Sequence, residues 1–202
     1  MAKKDLNTEE KILLAAKAIF IEKGLEGSRM QEIANEAGIN KALLHYYYRT
    51  KDKLFEAVFI GAFNKMVPQV IELLKADLPL FEKITRFTEN YIELFIDNPF
   101  IPGFVLHELG RNPERIVDLI SNLGIQPEIF IQQVQDEIVK GNIIPIDPRQ
   151  LIVNMLAMCI FPFVAKPILN SIIFNGSNEA FIDFIEERKK VVPEFIINSI
   201  KK

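Results

Sequence analysis

Helical spacing of the apolar residues constrains the fold of this 202-residue chain more than any other feature of its sequence. Apolar residues recur at intervals of three and four, and no segment shows the sustained alternation or the Asn-Gly and Asp-Gly turns that predict β-hairpins. Polar capping residues, glycines and prolines divide the pattern into separate segments. The sequence therefore predicts an all-α protein.

Three helices are expected within the first fifty residues. The first ends at Gly24. The run Ser28-Arg29-Met30-Gln31 is read as a capping box that opens a short second helix, which ends at Gly38. Asn40 is expected to cap a third helix at 41–48. Two short helices joined by a glycine-containing turn, with another helix packed beside them, form a helix-turn-helix, and its second member lies in the major groove of DNA.

Longer helices are expected beyond Thr50. Pro162, Pro167 and Pro193 fall inside the last two and are expected to kink or split them, because proline removes a backbone donor. The predicted ranges are 52–75, 80–98, 101–110, 113–123, 127–140, 148–174 and 178–200.

Composition narrows the possible functions. Cys159 is the single cysteine, so no disulfide framework and no thiol cluster for a metal is expected. The two histidines form no HExxH motif, and there is no glycine-rich phosphate loop, no Cys-His pair and no cluster of carboxylates. We therefore expect no catalytic residues, no metal site and no cofactor.

The expected compartment is the cytoplasm, because the first ten residues contain no apolar stretch of the kind found in secretory signals. The apolar run at 155–165 has eleven residues, whereas a membrane span needs about 20, so we expect a buried helix there and no membrane contact. Residues 1–55 carry 10 Lys/Arg against 8 Asp/Glu, and the remainder carry 14 against 19. This asymmetry favours two functional parts.

The third helix has two faces. At 100° per residue, Leu44 and Tyr48 point together toward the core, while Ala42, His45 and Tyr46 cluster on a face that is free to meet DNA. Lysine, arginine and tyrosine side chains around that face donate to phosphate, and histidine or lysine reaches base edges. The expected donors are Arg29, Lys41, Tyr46, Tyr47, Arg49 and Lys51.

The segment IANEAGINKALLHYYYRTKDKLF at 33–55 closely resembles the TetR-family signature, which runs roughly I-A-x-x-A-G-V-S-K-G-T-L-Y-Y-H-F-x-S-K-E-E-L. The resemblance covers about residues 8–60. It implies DNA contacts by the residues at the matching positions, although Asn40, Ala42, His45 and Tyr48 depart from the usual serine, glycine, tyrosine and phenylalanine. The implied contacts are Arg29, Gln31, Asn40, Lys41, Ala42, Leu43, His45, Tyr46, Tyr47 and Lys51.

The same resemblance implies a helix-turn-helix DNA-binding domain at 1–52 and a helical effector-binding and dimerisation domain at 53–202. The expected partners are double-stranded operator DNA, a second copy of the chain and a small apolar or amphipathic effector. A helical enzyme or lipid carrier and an effector-free DNA-binding protein are the alternatives. The candidate effector residues are Phe63, Asn90, Tyr91, Phe104, His107, Glu108 and Asn154; those for the dimer interface are Leu151, Met155, Met158, Phe181, Phe184 and Ile185.

Overall fold

The computed structural model describes residues 7–111 and 113–202, and within these ranges it contains eleven α-helices and no β-strand. Ile143 and Lys201 form an isolated bridge that ties the chain before α9 to the end of α11. The helices are α1 Thr8–Gly27, α2 Met30–Glu36, α3 Lys41–Tyr47, α4 Lys51–Lys75, α5 Leu80–Asp97, α6 Ile101–Arg111, α7 Pro113–Ser121, α8 Pro127–Val139, α9 Pro148–Val164, α10 Lys166–Ile172 and α11 Asn178–Ile200.

The first helix begins at a capping box. The Asn7 side chain accepts from the Glu10 backbone N–H at 2.8 Å, and the Glu10 carboxylate accepts from the Asn7 N–H at 3.0 Å. Gly24 interrupts α1 with a positive φ of 67°, a conformation that glycine adopts without strain. The helix then continues for one short turn to Gly27, so the predicted end at Gly24 marks a break and not the last residue.

The capping box predicted for Ser28 and Gln31 is wrong. The Ser28 hydroxyl donates to the Leu25 carbonyl at 2.8 Å, so this serine caps the end of α1. Because α2 begins later, at Met30, its capping carboxylate belongs to Glu32, which accepts from the Arg29 backbone N–H at 3.2 Å. The shift of one residue follows from the extra turn of α1.

Proline divides the predicted helix at 148–174, as expected. Its two parts, α9 and α10, are bent by 68° relative to each other. Pro167 lies in the first turn of α10. Backbone N–H groups in a first turn have no acceptor within the helix, so proline is tolerated there although it lacks an N–H. Pro162 and Pro193 lie inside α9 and α11, which continue through them.

Two clusters of buried side chains form the core. The first joins α1–α3 to α4 and α6, and its centre includes the contact between Phe20 and Phe55, whose ring centroids are 4.7 Å apart. The second lies among α5, α8, α9 and α11. Leu74, Phe87 and Tyr91 pack against both clusters, so the two clusters are in contact through these side chains.

Among the described residues one helix, α4, has the length and apolar content of a membrane span, and the bent pair α9–α10 has them if the two helices are counted as one. Ten of the 25 side chains of α4 are buried in the protein. In α9 one face is buried, at Leu151, Met155 and Cys159. The opposite face exposes Val153 and Phe161, so the predicted burial of the apolar run holds for one side of the helix only.

Candidate DNA-binding interface and internal cavity

Two residues fix α3 against the rest of the N-terminal unit. Leu44 is fully buried in the first core cluster. The Tyr48 hydroxyl donates to the Glu9 carboxylate at 2.9 Å. The pKa of this phenol is raised, mainly because it is partly buried and to a smaller extent because of the hydrogen bond to Glu9. Both side chains therefore face inward, as their spacing predicts, and they hold one face of α3 away from solvent.

The opposite face of α3 is open to solvent. Ala42 and His45 are exposed, and 82 % of Tyr46 is accessible. The Tyr47 ring meets the Tyr46 ring edge-on, with centroids 5.6 Å apart, and Leu43 is exposed beside them. Tyrosine combines an apolar ring with a polar hydroxyl, so at an interface the ring can pack against apolar groups while the hydroxyl forms a hydrogen bond.

Polar side chains near this face differ in how they are held. The Asn40 side chain caps α3 by accepting from the Leu43 N–H at 2.8 Å, and Gln31 donates to Asn35 at 2.9 Å. His45 Nδ1 lies 3.2 Å from the Arg49 carbonyl, and this hydrogen bond requires a proton on Nδ1. The side chains of Arg29, Lys41 and Arg49 are exposed.

Lys51 has a different role from the phosphate contact expected for it. Its ammonium lies 2.6 Å from the Leu25 carbonyl, 3.2 Å from that of Ser28 and 3.4 Å from that of Glu26. These carbonyls occupy all three of its donors and lie at the negative end of α1. Lys51 thus braces the α1–α2 turn from the start of α4. Its acceptors lie 23 to 26 residues earlier, beyond the reach of any local sequence pattern.

A cavity of about 270 Å³ lies where the two core clusters meet, and we call it the effector cavity. Two of the effector candidates proposed from sequence, Phe63 and Tyr91, line it. Most of the other lining side chains are apolar. The lining residues are Phe63, Met66, Val70, Leu73, Leu74, Lys83, Phe87, Tyr91, Ile120, Leu123, Ile125, Pro127, Phe130, Ile152, Met155 and Leu156.

Lys83 is a lining residue that the sequence analysis missed. It is 6 % exposed, and its Nζ donates to the Leu74 carbonyl at 2.8 Å. Burial lowers the pKa of this ammonium, and attraction to Asp77 opposes the shift. Its burial could have been predicted from the sequence, because Leu80, Lys83 and Ile84 follow the three-and-four spacing of a buried helical face. Tyr91 lies on the same helix, and burial raises the pKa of its hydroxyl.

The remaining effector candidates do not line this cavity. Phe104 is a core residue, with ring centroids 4.4 Å from Phe55 and 5.3 Å from Phe59. Asn90 lines a separate cleft of about 580 Å³ beside α1 and α4. The side chains of His107 and Asn154 are exposed, and that of Glu108 lies outside the described residues. Residue type and helical spacing did not distinguish cavity, core and surface.

Four of the six residues proposed for a dimer interface are buried inside the protomer. Leu151, Met155, Phe181 and Ile185 each expose less than 5 % of their surface and belong to the second core cluster. When an apolar helix packs inside its own protomer, the apolar residues that follow helical spacing most regularly are the ones that become buried. The sequence analysis had placed these residues in contact with a second protomer. These four side chains are therefore not available for contacts with a second protomer.

The other two residues lie at a seam between α9 and α11. Met158 and Phe184 are partly buried there: the Arg188 guanidinium donates to the Met158 carbonyl at 2.6 Å and lies 5.4 Å from the Phe184 ring centroid. Large apolar side chains are exposed on the same two helices. They are Val153, Phe161, Ile182, Val191 and Phe195.

The described residues include no group of three His, Cys, Asp or Glu side chains arranged to hold a metal ion. Cys159 is buried, and burial raises the pKa of its thiol to about 12, although Arg188 opposes this shift. It is therefore a thiol at neutral pH and a poor nucleophile.

Comparison with known proteins supports the DNA-binding interpretation. Residues 12–58 match the model of the bacterial regulatory proteins of the tetR family. The chain is 24 % identical over 166 residues to the HTH-type transcriptional regulator YhgD of Bacillus subtilis, covering 77 % of this chain and 82 % of that protein. It is 27 % identical over 149 residues to the HTH-type transcriptional regulator RutR of Escherichia coli, covering 70 % and 66 %.

A solved structure extends the similarity over nearly the whole chain. The TetR-family transcriptional regulator PfmR of Thermus thermophilus superimposes with a TM-score of 0.69 at 19 % identity, and the match covers 93 % of this chain and 97 % of that one. At this identity the likeness establishes a shared fold, which includes the long helices that follow the helix-turn-helix.

Proposed function

Since this chain belongs to the TetR family of bacterial transcriptional regulators, we propose that it is a cytoplasmic repressor that binds a palindromic operator as a homodimer. A small apolar or amphipathic effector releases it from DNA. The observation that carries the proposal is the exposed face of α3, where Ala42, His45 and Tyr46 stand clear of a helix anchored by Leu44 and Tyr48. A helix of this kind enters the major groove.

Contacts to DNA divide by chemistry. His45 and Tyr46 lie on the exposed face and are assigned to base edges, together with Ala42, whose small side chain permits close approach. The exposed cations Arg29, Lys41 and Arg49 are assigned to phosphates, which position the protein without reading sequence. Gln31, Leu43 and Tyr47 complete the surface, and Asn40 contributes through the cap that orients α3. Lys51 acts from behind this surface by bracing the α1–α2 turn.

The proposed homodimer uses the seam between α9 and α11. Phe161 and Phe195 expose about 60 % of their surface, and Val191 exposes 44 %. These exposed apolar side chains lie on two helices that pack against each other, and exposed apolar surface is typical of an association surface. A two-fold dimer built there presents two helix-turn-helix units, α1–α3 of each protomer, which we call the heads, to two half-sites of one operator. The symmetry of the protein then matches that of the DNA.

Release by an effector requires that the effector cavity be coupled to the heads. Phe63 lines the cavity, and a series of ring contacts leads from it to α1: Phe63–Phe59 at 4.5 Å, Phe59–Phe104 at 5.3 Å, Phe104–Phe55 at 4.4 Å and Phe55–Phe20 at 4.7 Å. Four of these rings lie on α1 and α4. Lys51, at the start of α4, is hydrogen-bonded to the α1–α2 turn. A shift of the part of α4 that lines the cavity therefore moves the head and changes the separation of the two α3 helices in the dimer.

Footprinting on the DNA that flanks the chain's own gene tests the repressor proposal. We expect one protected site with two-fold symmetry. Uniform protection of many sequences would favour an effector-free DNA-binding protein. The absence of any electrophoretic shift with genomic fragments would favour the helical enzyme or carrier.

Linkage tests the effector. A ligand is first found by thermal-shift screening, and its affinity for the protein is then measured by calorimetry with and without operator. Reciprocity requires that the operator lower the affinity for the ligand by the same factor, typically about 5 to 150, by which the ligand lowers the affinity for the operator. Equal affinities in the two measurements would show that the ligand is not an effector, because a ligand that binds both states equally shifts nothing.

A further inference from the structure

Among the described residues that line the effector cavity, one is charged and most of the others are apolar. Lys83 comes from α5, is 6 % exposed and lines the cavity together with Leu74, Phe87 and Met155. Burial of a charge in apolar surroundings is unfavourable unless the charge is paired or well hydrogen-bonded. The position of this lysine therefore calls for a partner.

Within the described part of the chain, the partners of this ammonium are incomplete. An ammonium has three donors, and the hydrogen bond found for Lys83 Nζ is the one to the Leu74 carbonyl at 2.8 Å. No described carboxylate lies within ion-pairing distance of it. Asp77 attracts the charge from farther away. Two of its three donors thus have no hydrogen-bond partner among the described residues.

We infer that the effector is a hydrophobic monocarboxylate whose carboxylate binds Lys83 Nζ and whose apolar part fills the effector cavity. The inference rests on the proposed function, because it names the chemistry of the ligand for the same cavity. A charge-assisted hydrogen bond between ammonium and carboxylate is about twice as strong as a neutral one. A neutral ligand of the same shape leaves the positive charge without a counter-charge, and a cationic ligand is repelled by it.

The rest of the cavity fits the apolar part of such a ligand. Tyr91 lies eight residues beyond Lys83 on α5, a distance of about 12 Å along the helix axis. Phe87 lies between them and stacks on Tyr91, with ring centroids 5.4 Å apart. A volume of about 270 Å³ lies just below the range of about 300–1,000 Å³ that is usual for ligand cavities. These dimensions favour a single alkyl chain or a single ring over a polycyclic molecule.

A purely structural role for Lys83 makes a different prediction. Leu74 lies in the last turn of α4, where a lysine stabilises unpaired carbonyls and the negative end of the helix. In that role Lys83 affects stability and leaves any preference between an acid and its matched alcohol unchanged. Ligand preference therefore separates the two roles.

Calorimetry on the full-length protein without DNA provides the test. The probes are hexanoate, decanoate and tetradecanoate, each paired with the alcohol of the same chain length. We expect at least one acid to bind about tenfold more tightly than its alcohol, the effect of one charge-assisted hydrogen bond. The variant Lys83→Met, which keeps the length of the side chain without the charge, is expected to bind acid and alcohol within about twofold of each other.

Two further variants make the test specific. Lys75→Met removes an exposed lysine at the end of α4 and is expected to retain the preference for the acid. Lys83→Gln keeps a donor for the Leu74 carbonyl and is expected to lose the preference even if Lys83→Met proves unstable. Equal binding of acid and alcohol by the unmodified protein, or a preference that survives in Lys83→Gln, would overturn the inference.

Failure of the proposed function would look different. A preference for acid that depends on Lys83, combined with an operator affinity that the acid leaves unchanged, would support the carboxylate site and reject the effector role. Operator release by an acid that binds equally well to Lys83→Gln would support an effector and reject this site.

Discussion

The head, α1–α3, and the body, α4–α11, use their side chains in opposite ways. The head anchors α3 through Leu44 and Tyr48 and exposes the side chains proposed for binding. The body contains the cavity proposed for its effector, and this cavity is lined by residues from five helices, α4, α5, α7, α8 and α9, many of which belong to the core. The head therefore tolerates changes at its proposed site with little loss of stability, whereas changes at the cavity alter the core as well.

The proposed dimer surface belongs to the body but is exposed in the protomer, so it provides the strongest test of the contrast. Phe161→Asp adds a charge to the seam between α9 and α11, and burying it on association is unfavourable. We expect monomers by sedimentation and a loss of operator affinity of about 100-fold or more, because two linked heads bind far more tightly than one.

Val139→Asp is the matched control, since this side chain is 87 % exposed on α8 and lies away from the seam. It is expected to leave the dimer and the operator affinity unchanged. A Phe161→Asp protein that remains dimeric would move the interface to another surface.

The next largest effect is expected at Lys51, where the head meets the body. Lys51→Met removes hydrogen bonds between an ammonium and the carbonyls of Leu25, Glu26 and Ser28. We expect the free energy of unfolding to fall by about 1.5–3 kcal/mol, measured by urea denaturation. The salt dependence of operator binding should keep its slope.

Lys53→Met serves as the control, because Lys53 forms an exposed ion pair with Glu56 and its loss should change the free energy of unfolding by less than about 0.5 kcal/mol. A shallower salt slope in Lys51→Met would return Lys51 to the phosphate contacts.

Tyr46 tests the head alone. Tyr46→Ala should weaken operator binding by about tenfold, the effect of about one hydrogen bond with a charged partner, and should leave the melting temperature unchanged because the ring contributes little to the core. Preference among operator variants should also change if the ring or hydroxyl reads bases. Leu14→Ala, at an exposed apolar residue of α1, is expected to change neither quantity. Equal weakening on all variants would assign Tyr46 to the DNA backbone.

The smallest effect is expected at a single phosphate contact. Lys41→Ala should weaken binding to every DNA sequence about equally and reduce the slope of log affinity against log salt by about 0.9. Lys190→Ala, an exposed lysine on α11, should leave the slope unchanged. An unaltered slope in Lys41→Ala would remove Lys41 from the phosphate contacts.

The head was largely predictable from sequence because its determinants are local. Leu44 and Tyr48 share a face through helical spacing, and Asn40 caps α3 within three residues. The error at Ser28 was also local, one residue in register, and came from an extra turn after Gly24. Lys51 could not be assigned, because its acceptors are separated from it in sequence and meet it only when α1 packs on α4.

Sequence by itself determined that the chain is all-α, where its helices start and stop within a few residues, and which face of α3 is free, because caps, breaks and spacing act over a few residues. Only the tertiary structure decided the uses of the apolar residues in the body. Phe63 lines a cavity, Phe104 lies in the core and Phe161 is exposed. These three phenylalanines have the same chemistry and similar helical surroundings. Their roles differ because burial depends on which distant helices pack against each of them, and no short stretch of sequence contains that information.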